Sequence, residues 1–399
     1  MDTLSSVSQP DPRILDRFPY PVAYPYSLIF DANEKPSIRR WALCFTEYQA
    51  LRLVCLPLVS QYLREPIDET AEKSIKALNT AIAAIRSPFF SDWIHLLSAL
   101  HRHLPTAGIA PLFGGLGAAL DALKQSEPRE IPLGKEYNLN PLRAILALRN
   151  HTAHGGLADQ AEAAAQVAKY LPVLHEVLWA FDFLGDCELL VCTDTQDAIE
   201  FGDARVRTLR GAVPGEPDFT ELSDDLIAAL AESSAVLTVP GHRPQPLYPL
   251  LNPVNEQEPL FLYDGHYGIR VGVKQAVEEH SYIYYLGTHH RAEDAPACDR
   301  LKDLLAARRI HFFLSKDKTA PWTIADSATD YSQRTLNGLL GSKYFPPCYL
   351  PFTDVERHVQ RFLTIHTDPK QWPSDTTLPR YVNGLVLIGL AGSGKTNLL

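Results

Sequence analysis

Several features that would assign a chain to a class at once are missing from these 399 residues. The six cysteines, Cys44, Cys55, Cys187, Cys192, Cys298 and Cys348, include no CxxC pair. That scatter suits neither a zinc site nor a disulfide framework, so reduced thiols in a cytoplasmic compartment are expected. No segment approaches roughly eighteen uninterrupted apolar residues, and residues 1–12 have no basic start leading into an apolar run; neither a membrane span nor a secretory leader is expected. Positive charge is short as well: 37 Lys and Arg against 47 Asp and Glu leave a formal net charge of -10. This balance disfavours broad nonspecific binding to nucleic acid but leaves room for a local basic patch. GxSxG is absent, which removes the nucleophile elbow of serine hydrolases. Internal repeats and low-complexity tracts are absent too.

What is present supports a multidomain protein. With 46% hydrophobic residues the chain can bury more than one sizeable core, and its length suggests roughly two or three domains. From residue 37 to 184 the pattern is helical. Ile75, Leu78, Ile82 and Ile85 recur at three- and four-residue spacing, as do Val167, Leu171, Leu174, Leu178 and Phe181, placing each set on one helix face. Further helices are predicted over 38–63, 91–104, 116–124 and 141–152. Pro141 suits a first turn, and Gly155-Gly156 a stop. Residues 1–185 therefore read as an all-α antiparallel bundle.

After Gly185 the texture changes to short β-type runs, at 188–193, 205–209, 235–239, 259–263, 268–271 and 281–286. Asp264-Gly265 is a pair of the kind that closes a hairpin. A helix over 294–309 and a strand over 311–314 follow. Residues 186–351 thus read as a mixed α/β module with mainly antiparallel strands. His289-His290 is expected in a surface loop, and His101, Arg102 and His103 form a local basic tip with a solvated face.

The last stretch carries a specific motif. The apolar run 384–388 leads into Gly389-Leu390-Ala391-Gly392-Ser393-Gly394-Lys395-Thr396, which matches GxxxxGK[ST] at every fixed position. Glycines let successive N–H groups turn inward onto phosphate oxygens, and the following helix adds its positive end. Gly389, Gly392, Ser393 and Gly394 would form the cradle, Lys395 would neutralise the β/γ-phosphates of ATP or GTP, and the Thr396 hydroxyl would ligate Mg²⁺. A helix over 353–364 and a proline-punctuated linker precede it. This entry resembles that of AAA-like and STAND-type NTPases, in which the NTPase acts as a regulatory switch or assembly engine for an attached effector. Residues 352–399 are thus expected to hold the first strand and P-loop of an α/β NTPase domain. No residues remain for the magnesium-holding Asp or the water-positioning group, so the chain is expected to be the N-terminal part of a larger protein and not to hydrolyse nucleotide alone.

A second constellation lies in the bundle, at Arg149-Asn150-His151-Thr152-Ala153-His154-Gly155-Gly156. Arg149 and His154 have four residues between them, and Asn150 is the polar neighbour of the arginine. The run resembles the signature of the HEPN superfamily. That resemblance implies an all-helical, usually dimeric fold whose active members are metal-independent endoribonucleases, with Arg149, Asn150 and His154 as catalytic residues and RNA as substrate. The side chains suit the chemistry. Histidine titrates near neutrality and can move a proton at a ribose 2′-OH or a leaving oxygen, while arginine forks hydrogen bonds onto a phosphate. An ordinary alternative stands beside it: basic residues near a helix C-terminus followed by glycines are also plain capping chemistry. Together the two resemblances suggest a nucleotide-regulated switch that oligomerises through its helical domain, an arrangement similar to prokaryotic defence proteins. A non-catalytic dimerisation or docking module is the alternative. In the full-length protein, Lys395→Ala is expected to weaken Mg-nucleotide binding about tenfold or more, measured by fluorescence titration with a labelled ATP analogue.

Overall fold

Start signals in the chain are matched by hydrogen bonds at the helix ends. The computed structural model describes residues 9–310 apart from 126–128, 131–135, 138–139, 156–158, 193–202, 217, 254–259, 272–274, 288 and 294–295. The helices α1 (Pro12–Arg17), α2 (Tyr20–Leu28), α3 (Pro36–Arg64), α4 (Glu72–Ala84), α5 (Phe90–His103) and α6 (Leu116–Gln125) come first. A small ladder of β1 (Arg129–Glu130) and β2 (Glu136–Tyr137) separates them from α7 (Pro141–Gly155) and α8 (Gln160–Ala180). Asn140 caps α7 by accepting from the Arg143 N–H at 3.0 Å. Asp159 caps α8 by accepting from Glu162 N–H at 2.8 Å, and Asp92 inside α5 accepts from Phe89 N–H at 2.7 Å. Each bond satisfies a donor that the helix itself leaves open.

The central element is α3. From Ala42 to Leu63 every residue except Tyr48 is buried, so this helix has no solvent face over about six turns. It packs against α2, α5 and α8, and touches strands of both sheets described below. By length and composition α3 would also pass for a membrane span, but 94% of its apolar window is buried inside the fold. Of the predicted stripes, Leu78, Ile82 and Ile85 are buried while Ile75 is only half-buried, and Val167, Leu171, Leu174, Leu178 and Phe181 are all buried.

The strands form two antiparallel sheets. β3 (Glu188–Cys192), β4 (Asp203–Thr208), β5 (Asp218–Glu221), β6 (Ala235–Thr238) and β7 (Gln245–Pro246) make one, in the order β5-β4-β3-β6-β7. Between β5 and β6 lies α9 (Asp224–Glu232), whose Ser223 hydroxyl accepts from Leu226 N–H at 3.4 Å. Alternation along β3 and β6 splits their side chains between two cores. Leu189, Val191, Ala235 and Leu237 join the main core with the helices, while Leu190, Cys192 and Val236 pack with Leu230 of α9. The second sheet runs β11-β10-β9-β8, from β8 (Leu251–Asn252), β9 (Phe261–Val271), β10 (Gln275–Tyr284) and β11 (His289–Glu293). Helix α10 (Pro296–Ala307) follows, with Leu301 and Leu305 in the main core. The hydrophobic core is thus continuous from Ile14 to Ile310. The chain divides into two units, one of residues 1–153 and 157–316, the other of residues 317–399 with His154–Gly156.

Two sequence expectations are corrected. Asp264-Gly265 does not close a hairpin but sits inside β9. Tyr263 pairs with Tyr282 and Gly265 with Ser281, leaving Asp264 as the extra residue of a β-bulge. Gly265 takes φ 140°, open to glycine, and an Asp-Gly pair serves a bulge as well as a turn. His289 and His290 lie in the edge strand β11, paired with Ile283 and Tyr282, not in a loop. Polar edge strands lack the apolar alternation that marks a half-buried one. The predicted strand at 311–314 and helix at 353–364 lie outside the described residues.

Gly287, in the turn between β10 and β11, has φ +80°, and a Cβ there would stand 2.6 Å from Cζ2 of Trp41. Gly287→Ala is therefore expected to destabilise the fold by about 1–3 kcal/mol, read from urea unfolding.

Candidate functional site

The buried stripe of α7, with Leu142 and Ala144 at 2% and Ile145 and Leu148 at 0% exposure, fixes which way the helix turns. Arg149 and Asn150 follow that stripe and are exposed. Arg149 Nη1 donates to Asn150 Oδ1 at 3.2 Å. His154 belongs to the last turn of the same helix, and its side chain lies outside the described ones. His154 follows Asn150 by four residues and Arg149 by five along the chain. The P-loop residues Gly389, Gly392, Ser393, Gly394, Lys395 and Thr396 all lie outside the described residues.

On α3 and α8, three ionisable groups are held in their neutral forms. Burial pushes the Cys44 thiol up to about 12, with Glu47 adding to the shift while Arg40 and Arg149 oppose it. The Glu47 side chain is fully buried, neither carboxyl oxygen has a hydrogen-bond partner, and desolvation drives it well above the usual carboxylate range. Tyr170, on α8, has a buried hydroxyl without a partner and is pushed up to about 12 by burial first and by Cys44 second. A lone carboxyl in an apolar site protonates because an unpaired charge there costs far more than the proton. Glu47 was not singled out in the sequence, although a carboxylate within the apolar run Leu43-Cys44-Phe45-Thr46-Glu47 is itself a cue.

A second cluster joins α3 to the sheet through the bulge. Arg52 has no exposure and makes an ion pair with Asp264. Its guanidinium lies 4.0 Å from the Tyr48 ring centroid and 5.1 Å from that of Trp93. Tyr48 donates its hydroxyl to Asp264 Oδ1 at 3.1 Å, and His289 Nε2 meets Asp264 Oδ2 at 3.2 Å. The bulge thus aims a carboxylate at a buried cation and holds an exposed imidazole on the other oxygen. One strand turn further on, His266 and His280 face each other Nδ1 to Nδ1 at 3.1 Å. Burial holds them down to about 4 and about 3, with Arg86 and Lys302 lowering the first, and His266 and Lys302 the second. Both are neutral at pH 7, so one ring N–H can donate to the other.

At the predicted basic tip, His101 packs against Gly117 and His103 Nδ1 meets Ser74 Oγ at 3.2 Å, while Arg102 is exposed. A cavity of about 780 Å³ lies between α4 and the end of α10, lined among others by Glu72, Lys76, Asn79 and Arg308. It includes none of the residues that the two motifs single out. Among the described residues no three His, Cys, Asp or Glu side chains are grouped to hold a metal ion.

The chain matches no protein-family model, no curated protein and no solved structure.

The Glu47 shift has a definite sign. Its folded value is raised, so the unfolded chain loses this proton first, and stability falls as pH rises above about 4.3 toward the folded value. Glu47→Gln keeps the shape without the ionisation. The variant is expected to melt higher than the parent at pH 7–8 and to differ little at pH 4, in thermal scans at matched ionic strength.

Proposed function

We propose that the helical region is a HEPN-like effector that cleaves RNA without a metal, switched by nucleotide binding at the P-loop of residues 389–396. The observation that carries this reading is the exposure of Arg149 and Asn150 at the end of a helix whose preceding turns are buried. A helix end that presents arginine and asparagine to solvent, with histidine in its last turn, suits a phosphodiester. In this mechanism His154 takes the proton from a ribose 2′-OH as that oxygen attacks phosphorus. The bond to the 5′-oxygen breaks, leaving a cyclic phosphate on one product and a 5′-OH on the other. Arg149 holds the phosphate oxygens as negative charge builds. A histidine on the opposite side, supplied by a second copy, delivers the proton to the leaving oxygen.

ATP or GTP with Mg²⁺ at Lys395 and Thr396 then serves as the signal that assembles copies through the helical region, within the cytoplasm. A second reading, a non-catalytic dimerisation or docking module of a signalling NTPase, draws on the contact between Arg149 and Asn150, which occupies part of the guanidinium within the helix.

Cleavage separates the two. The full-length protein loaded with Mg-nucleotide is expected to cut single-stranded RNA and leave cyclic-phosphate ends, and to cut far less without nucleotide. His154→Ala should lower the rate at least about a hundredfold with an unchanged circular dichroism spectrum. Undiminished cutting by that variant would falsify the assignment.

A further inference from the structure

We propose that His175 and Tyr26 form a pH-operated latch on the N-terminal segment: with the imidazole neutral, residues 9–13 are held against α8, and its protonation frees them from Trp179.

The segment at the start of α1 is tied down through one residue. Asp11 donates its backbone N–H to the Tyr26 hydroxyl oxygen at 2.9 Å, and its Oδ2 accepts from Trp179 Nε1 at 2.9 Å. Arg13 closes the contact, pairing with Asp11 Oδ2 at 2.7 Å while its guanidinium lies 5.5 Å from the Trp179 ring centroid. Further along, Ile14 and Phe18 are buried in the main core, and Gly211 and Ala212 donate to the Phe18 and Leu15 carbonyls. The core therefore fixes the chain from Ile14 onward. Among the described residues, the hydrogen bonds that join 9–13 to other elements are those to Tyr26 and Trp179.

The latch turns on one phenolic oxygen. Tyr26 has no exposure, and burial pushes its hydroxyl up to about 12, so the O–H keeps its proton and needs an acceptor inside the protein. His175 Nε2, at 2.8 Å, is that acceptor, which makes the imidazole the neutral Nδ1–H form. A phenolic oxygen has two directions for hydrogen in its ring plane. One is taken by the Asp11 N–H and the other by its own bond to His175. A proton on Nε2 brings a third hydrogen to the same oxygen. The hydroxyl then swings into the direction from which the Asp11 N–H approaches, and that N–H loses its acceptor. The imidazole also lies against the indole, with centroids 5.4 Å apart and planes 23° apart, so the same proton alters the surroundings of the Trp179 ring.

The groups around His175 set the direction of the response. Burial of the half-buried ring lowers its titration first, the Asp11 carboxylate opposes, and the Arg13 guanidinium adds to the lowering. The Arg13 bonds hold Asp11 down to about 2, so it stays charged, and Asp182 acts in turn on Arg13. Tyr26, from α2, is neutral, and Glu176 is the next residue of α8. The folded value thus lies below the ordinary value of about 6.5, the open segment takes the proton first, and closure is lost as pH falls from about 6.5 toward the folded value.

The test follows the full chain between about pH 7.5 and about pH 5. It uses hydrogen–deuterium exchange corrected for the intrinsic pH dependence, and tryptophan emission with Trp179→Phe assigning the share of Trp179 among the five indoles. On acidification, protection of the peptide spanning residues 9–18 is expected to fall about fivefold or more while α3 keeps its own. Trp179 emission should change with a midpoint below about 6.5. His175→Gln keeps an acceptor for the Tyr26 hydroxyl but cannot titrate, so both signals should become flat. Tyr26→Phe removes the acceptor of the Asp11 N–H and should leave the segment as open at the higher pH as the parent is at the lower. No change in the parent, a midpoint at or above about 6.5, an unaltered response in His175→Gln, or loss of α3 protection together with that of 9–18 would each overturn the latch. Should His175→Gln not fold, full protection of 9–18 in Tyr26→Phe at the higher pH would overturn it too.

Discussion

A helix without a solvent face must satisfy its polar side chains inside the protein, and α3 imposes that condition on everything around it. Its polar residues become anchors. Gln49 donates to the Tyr284 carbonyl at 3.4 Å, Ser60 to that of Pro246 at 2.5 Å and Gln61 to that of Ala110 at 2.8 Å. Arg64 reaches the Tyr248 carbonyl at 2.6 Å, and Arg52 reaches Asp264. Most of these partners lie in or beside the strands, so the same bonds that make burial of α3 tolerable also fasten the sheets to the helices. The continuous core follows from that arrangement.

Glu47 is the exception on this helix, since nothing answers its carboxyl. Together with Cys44 and Tyr170 it makes a region where protons are retained because charge cannot be solvated. The charges of Arg40 and Arg149 oppose the upward shift of the Cys44 thiol without cancelling it.

Local signals in the sequence carried the helical half well. The stripes at Leu78–Ile85 and Val167–Phe181, the proline start of α7 and the Leu301 and Leu305 face of α10 are all found where spacing puts them, because a helix face depends only on near neighbours. The first helices escaped notice since Pro12, Pro21 and Pro25 fall within α1 and α2, and α9 despite Ser223-Asp224-Asp225 because it is short. Of the candidate site, Arg149, Asn150 and His154 could be picked out as a motif, whereas Glu47 and the Arg52–Asp264 pair could not be joined to anything. The partners of that pair are 212 residues apart, and no local pattern reports a meeting at that distance.

The bulge at Asp264 also sets the phase of β9. Side chains alternate along a strand, so Tyr263 and His266, three apart, should face opposite ways. The extra residue reverses the count, and both stand opposite Tyr282 and His280, which are two apart on β10. Four buried rings, Tyr263, Tyr282, His266 and His280, thereby meet on one face. Their packing depends on how many residues β9 contains as much as on which ones. A chain longer or shorter by one residue before Gly265 would part the rings, whatever side chain was gained or lost.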